Sequence, residues 1–145
     1  MPTTQSHDPA SNDERAVFRR RHRLSGERAF GRVFDNKLRK SSGPITIFLC
    51  PNGAREHRLG LSVGRRVGGA VVRGRFKRMI REAFRLSRGR IPMLPGEDQR
   101  GGYDIVVTVR AHAPMDLDAY TRAMLGAINA AHQVQLRRIT GQRDG

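Results

Sequence analysis

Apolar residues recur along this chain with two periods, and the change from one to the other outlines the elements. In VVRGRFKRMIREAFR, residues 71–85, a turn of about 100° per residue gathers Val72, Phe76, Met79, Ile80, Ala83 and Phe84 on one arc. This predicts a helix with one core-facing seam, running to about Arg88 and ended by Gly89 and Pro92. HRLGLSV (57–63) instead alternates, with Leu59, Leu61 and Val63 on one side and Arg58, Gly60 and Ser62 on the other, the period of a half-buried strand. ITIFLC (45–50) is β-rich and meets a turn at Pro51-Asn52-Gly53, and YDIVVTV (103–109) reads as a central strand. SGERAFGRVFDNKLRKSSG predicts a short helix with Ser25 as N-cap, Glu27 in the first turn and an apolar stripe of Ala29, Phe30, Val33 and Phe34, broken at Ser41-Ser42-Gly43-Pro44. After Pro114, Asp116 is placed to cap a last helix carrying Leu117, Tyr120, Met124, Ile128 and Ala131 on one face.

The order helix, strands, helix, strand, helix predicts an α+β domain, a mixed sheet packed against helices. Strands 57–64 and 103–109 are expected to be parallel neighbours or near neighbours joined by the 71–85 helix. Residues 1–14 lack an apolar period and read as a disordered tail, FRRRHRL as an extended basic lead-in, 15–138 as the folded domain and 139–145 as a fraying end.

Charge changes the picture more than composition does. The chain has 145 residues and a net charge of +15, with 25 Arg and three Lys. Residues 15–90 hold 22 Arg or Lys against Glu27, Asp35, Glu56 and Glu82, while residues 91–145 balance at six of each sign. One half of the chain is a polycation, the footprint of nucleic-acid binding. Lys77, Arg78, Arg81 and Arg85 fall opposite the apolar arc of the 71–85 helix, with Arg73 and Arg75 at its margins. No apolar run approaches the roughly 20 residues that span a bilayer. The lone Cys50, among Ile47, Phe48 and Leu49, suits a small buried hydrophobe, and a cytoplasmic protein is expected.

Residue types that carry catalysis are poorly grouped. The four acids of the basic half lie on different predicted elements, and His7, His22, His57, His112 and His132 show no ligand spacing and read as surface or turn residues. GLSVGRRVGGAVVRGR is more informative. Arg65, Arg66, Arg73 and Arg75 cluster at a helix N-terminus, where a cation opposes the macrodipole at a cost of about 0.3–1 kcal/mol each. A phosphate reverses that sign, accepting from both the helix-end N–H groups and the guanidinium forks.

RLGLSVGRRVGGAVVRGRFKRMIREAFR resembles the signature of the bacterial ribonuclease P protein family. In that signature a G-x-S-V strand leads through a basic loop and V-G-x-A-V into an R-N-R-x-K-R helix start and IRE. HRLSGERAFGRVFDNKLRKSSGP and YDIVVTVRAHAP resemble the family's first helix and last strand, so the likeness covers about residues 20–135. Gly74 stands where the family has Asn; Gly offers no side-chain bond and weakens a helix by about 1 kcal/mol relative to Ala.

The resemblance implies a left-handed β-α-β crossover and the protein subunit of a ribonucleoprotein endonuclease. Its RNA subunit would do the catalysis with magnesium bound mainly through RNA, releasing the 5′ leader of precursor tRNA, with no organic cofactor and no catalytic residue on the protein. It places Arg65, Arg66, Arg73, Arg75, Lys77, Arg78, Arg81 and Arg85 against RNA, and Phe30, Phe34 and Ser62 in a cleft for the single-stranded leader. Rings four residues apart on a short helix can stack on bases. They also suit a core, which is the expectation for Phe30, while Phe34 stands open between the two roles. Charge alone also admits a non-enzymatic RNA-binding structural protein of the ribosomal kind.

Overall fold

The computed structural model describes residues 20–96 and 98–144. The tail expected over residues 1–14 lies outside them. Four strands form one mixed sheet in the order β1-β2-β4-β3: β1 (Arg39–Ser42), β2 (Ile45–Pro51), β3 (Arg58–Ser62) and β4 (Tyr103–Val109). β2 runs antiparallel to β4 with Ile45 opposite Val109 and Pro51 opposite Tyr103, and β1 closes one edge antiparallel to β2. β3 lies parallel to β4, Arg58 opposite Asp104 and Ser62 opposite Thr108, so the expected parallel pair is present and helix α2 (Ala70–Ser87) connects it.

Two helices cover one face of the sheet. α2 buries Phe76, Ile80, Ala83, Phe84 and Ser87, a recurrence that keeps one side of the helix inward. α3 (Leu117–Asp144) lays Tyr120, Met124, Ala127, Ile128 and Ala131 beside them. Both pack on Ile45, Ile47, Leu49, Leu59, Ile105 and Val107. Fully burying each such side chain contributes about 1.5–3 kcal/mol, so this layer carries most of the fold's stability. The opposite face is partly covered by the short helix α1 (Glu27–Asp35), through a smaller cluster of Leu24, Val33, Cys50 and Val106. Among the described residues no helix is long and apolar enough to cross a membrane.

Several local expectations are corrected. β1 was expected inside the first helix, which instead stops at Asp35; Lys37 adopts φ 53°, and Arg39–Ser42 pairs with β2. An edge strand of polar residues shows no apolar alternation, so periodicity missed it. Gly26, not Ser25, is the N-cap of α1, with φ 95°. Arg20–His22 forms a 3-10 turn instead of an extended lead-in, and Arg23 then bridges to Leu59 at the free edge of β3. Val72, assigned to the core arc, is 51% exposed; it sits in the first turn of α2 with its side chain beside the Gly68 reversal.

The last helix continues to Asp144. Arg138 donates to the carbonyls of Asn36 at 2.9 Å and Lys37 at 3.1 Å, tying it to the α1–β1 connection. Asp116 caps it as expected, its Oδ1 accepting the Ala119 N–H at 2.8 Å.

Candidate nucleic-acid interface

The basic loop enters α2 through a 3-10 turn, Arg65–Val67, in which both arginines are exposed. Gly68 then takes φ 153°, where a Cβ would lie 2.9 Å from Val72 Cγ1, so this reversal requires glycine. Gly69 is the N-cap; no side chain caps the helix, and its first turn holds no acid. The uncapped N–H groups of α2 are therefore flanked along the chain by Arg65, Arg66, Arg73 and Arg75, with no acid in the first turn. Arg73 is held in place by its Nε, which donates to the Gly68 carbonyl at 3.1 Å.

The remaining cations of α2 divide. Arg78 is exposed. Arg85 forms a forked ion pair with Glu82, the only acid on the helix, with Nε 3.0 Å from Oε1. Lys77 and Arg81 turn toward α1 and line a cavity of about 270 Å³ with Arg23, Gly26, Phe30 and Gly60. Burial, and the charge of Arg23 beside it, pull the Arg81 guanidinium below its ordinary pKa. Like charges crowded onto one cavity favour an incoming anion.

On the same side of the molecule, α1 and the sheet form an aromatic cleft. The Phe30 ring lies over Gly60, where a Cβ would meet its Cζ at 2.7 Å; the glycine of GLSV is what lets the ring descend onto β3. Phe30 is thus partly buried, packed on the sheet yet lining the cavity. Phe34 is 37% exposed and stands edge-on to Phe48, centroids 4.8 Å apart, with Phe30 6.4 Å away. The Arg39 guanidinium sits 6.0 Å from the Phe48 centroid. Ser62 is exposed at the end of β3 on this same face. Phe48 and Arg39 were not singled out from sequence, because a ring inside an apolar strand carries no signal of the face it shares with α1.

Beneath the cleft, Asp104 is 0% exposed and binds three separate segments. It accepts from Arg32 at 2.7 Å, from Arg58 at 2.7 and 2.9 Å, and from the Asn52 amide at 3.0 Å. Three histidines read from sequence as surface or turn residues are buried instead. His57 Nδ1 accepts the Tyr103 N–H at 3.0 Å, so its Nε2 donates to the Ile91 carbonyl at 3.3 Å. His22 Nδ1 accepts from Arg88 at 2.9 Å and its Nε2 donates to Glu56 at 3.0 Å. His132 Nδ1 receives the Tyr103 hydroxyl at 2.7 Å. They fasten the lead-in segment, the 52–57 turn and α3 to the sheet.

Among the described residues no group of three or more His, Cys, Asp or Glu side chains could hold a metal ion. The carboxylates of Asp104, Glu56 and Glu82 are bound to arginine or histidine. This donor set does not fit a metal site among the described residues.

A cation-rimmed helix start and an aromatic cleft on a small α+β domain define a basic RNA-binding protein. A family profile described as Ribonuclease P matches residues 18–132. The chain belongs to the ribonuclease P protein family, the protein component of the bacterial tRNA-processing ribonucleoprotein. It is similar to the solved RNase P protein from Thermotoga maritima at 32% identity over 72% of this chain and 92% of that one, TM-score 0.58. The Staphylococcus aureus RNase P protein aligns at 26% identity over 76% and 94%, TM-score 0.57. A mutant of the S. aureus protein, at 24% identity and TM-score 0.61, covers 91% of this chain and shares its fold.

Proposed function

We propose that this subunit grips the ribonuclease P RNA at the start of α2 and offers the α1–sheet cleft to the single-stranded 5′ leader of precursor tRNA. The observation that carries the first half is the N-terminus of α2: no capping side chain, no acid in its first turn, and Arg65, Arg66, Arg73 and Arg75 around it. Phosphate oxygens satisfy both the N–H groups and the guanidinium forks. Arg78 extends this surface. Lys77 and Arg81, whose cavity adjoins Phe30, belong on this reading to the leader side.

In the cleft, Phe34 and Phe48 present ring surface to unstacked bases while Phe30 anchors α1 to β3. Arg39 stands beside Phe48 to neutralise a leader phosphate. The bond-breaking step belongs to the RNA subunit. Magnesium would be held by RNA phosphates, since the carboxylates named above are committed to cations. This chain's part is to bind and orient, at the cytoplasmic site of tRNA maturation.

The test is reconstitution. Added to a bacterial ribonuclease P RNA at low magnesium, the chain should promote precursor cleavage, and without that RNA it should cut nothing. Affinity for the RNA should fall steeply with salt. Arg73→Ala with Arg75→Ala should flatten the log–log slope by about two phosphate contacts. An unchanged slope removes these arginines from the phosphate surface.

A further inference from the structure

The sheet face that α2 and α3 leave uncovered carries a pattern that net charge does not explain. Ser41, Thr46, Thr108 and Ser62 come one from each strand and are direct partners: Ser41 with Thr46, Thr46 with Thr108, Thr108 with Ser62. Paired residues project to one face. Four hydroxyls therefore cross the whole sheet in a single row, roughly 14 Å long at about 4.8 Å per strand. α1 covers the neighbouring row, at Phe48, Val106 and Gly60, but not this one: Ser41 and Ser62 are exposed, and Thr46 and Thr108 half-buried. A cleft of about 470 Å³ lies over Ser41, Thr46 and Thr108, with Pro44 and Arg110 in its walls.

The chemistry selects the occupant. The strip is uncharged within a chain of net charge +15, yet Arg39, next to Phe48 in the adjoining row, and Arg110, in the cleft wall, flank it. Neutral groups that both donate and accept, flanked by cations, match a sugar–phosphate chain: phosphate to the arginines, ribose hydroxyl to the row. Ser41 and Thr46 already share one bond, at 2.8 Å, but each hydroxyl can donate once and accept twice. The row also adjoins the Phe34–Phe48 rings, so a strand stacked there reaches it without a break.

Resting on the leader-binding reading, we propose that this hydroxyl row contacts the ribose 2′-OH groups of leader nucleotides lying beyond the Phe34–Phe48 rings. Leader binding is then selective for RNA over DNA, because the 2′-OH is the group that distinguishes them.

The experiment compares three ligands on the holoenzyme reconstituted with ribonuclease P RNA. They are precursor tRNA with a ribose leader, the same precursor 2′-deoxy at every leader nucleotide but the one beside the cleavage site, and mature tRNA. The wild type should prefer the ribose leader by about tenfold, the worth of one or two net hydrogen bonds. Thr46→Val with Thr108→Val, which keeps the β-branched shape, should erase that preference by weakening the ribose leader alone. Ser62→Ala, on an exposed position, should reduce it in part and guards against a folding defect in the double variant. Phe34→Ala should weaken both leaders by one factor and leave their ratio intact. Equal binding of both leaders by the wild type, or equal losses on both in the threonine and serine variants, overturns the proposal. Precursor binding no tighter than mature tRNA removes the leader reading itself.

Discussion

Asp104 holds Arg32 of α1, Arg58 of β3 and the Asn52 turn on one buried carboxylate, so its energy is that of a junction. Removing one partner of a buried ion pair costs about 3–5 kcal/mol. Asp104→Ala should lose about 3 kcal/mol, the low end because Arg32 and Arg58 keep contact with water, as read by urea denaturation. Phe34 is the contrasting residue, an exposed ring whose loss should spare the fold. Phe34→Ala should weaken precursor tRNA binding by about 10–100-fold, since stacking is worth on the order of 1–3 kcal/mol, and barely change mature tRNA. Equal losses on the two RNAs, with a falling melting temperature, would return Phe34 to the core.

Among the elements, α2 serves two masters. Its inward seam fixes it on the sheet, while its first turns are left uncapped and crowded with cations, at a cost to the isolated helix. Gly74 adds to that cost from inside the helix, and a Cβ there would meet nothing within 4 Å. Gly74→Ala should therefore raise stability by about 0.5–1 kcal/mol, visible as a higher denaturation midpoint. RNA affinity should stay unchanged; a loss of affinity would mean that RNA approaches the backbone at this glycine. α1, only nine residues long, depends on tertiary partners: the Phe30 ring over Gly60 and Arg32 on Asp104.

For the molecule as a whole, the buried histidines make stability depend on pH. Burial lowers the pKa of His57, His22 and His132 below the ordinary value. Geometry agrees. A proton on His57 Nδ1 would face the Tyr103 N–H, and one on His22 Nδ1 would face the Arg88 guanidinium, donor against donor. Glu56 opposes this at His22, while Arg88 and His132 reinforce it at His57. With folded pKa values depressed, the unfolded chain takes up protons first. Stability should be full above about pH 6.5 and fall as the pH drops through that value, by at most about 1.4 kcal/mol per pH unit for each histidine. Melting temperatures between pH 7.5 and 5.5 read this directly. His57→Asn, whose amide oxygen can still accept the Tyr103 N–H, should flatten the profile; an unchanged profile would clear His57.

What the sequence determined by itself was whatever repeats locally or accumulates along the chain. The seam of α2 from Phe76 to Phe84, the alternation of β3, the apolar run of β4 and the Asp116 cap are local patterns, and each stands where its spacing placed it. The cationic half and the G-x-S-V to IRE signature were equally legible, and they sufficed for the family. Beyond the parallel pairing of β3 with β4, position across the sheet was not, because strand partners are set by pairing between distant segments. Nothing in RKSS marks an edge strand, and nothing near His22 or His57 announces Arg88 or Tyr103. Tertiary structure alone turned Lys77 and Arg81 toward α1, brought Phe48 edge-on to Phe34, and set Ser41, Thr46, Thr108 and Ser62 in one row. Each of those contacts joins residues whose separation along the chain carries no period, so only the packed sheet could decide them.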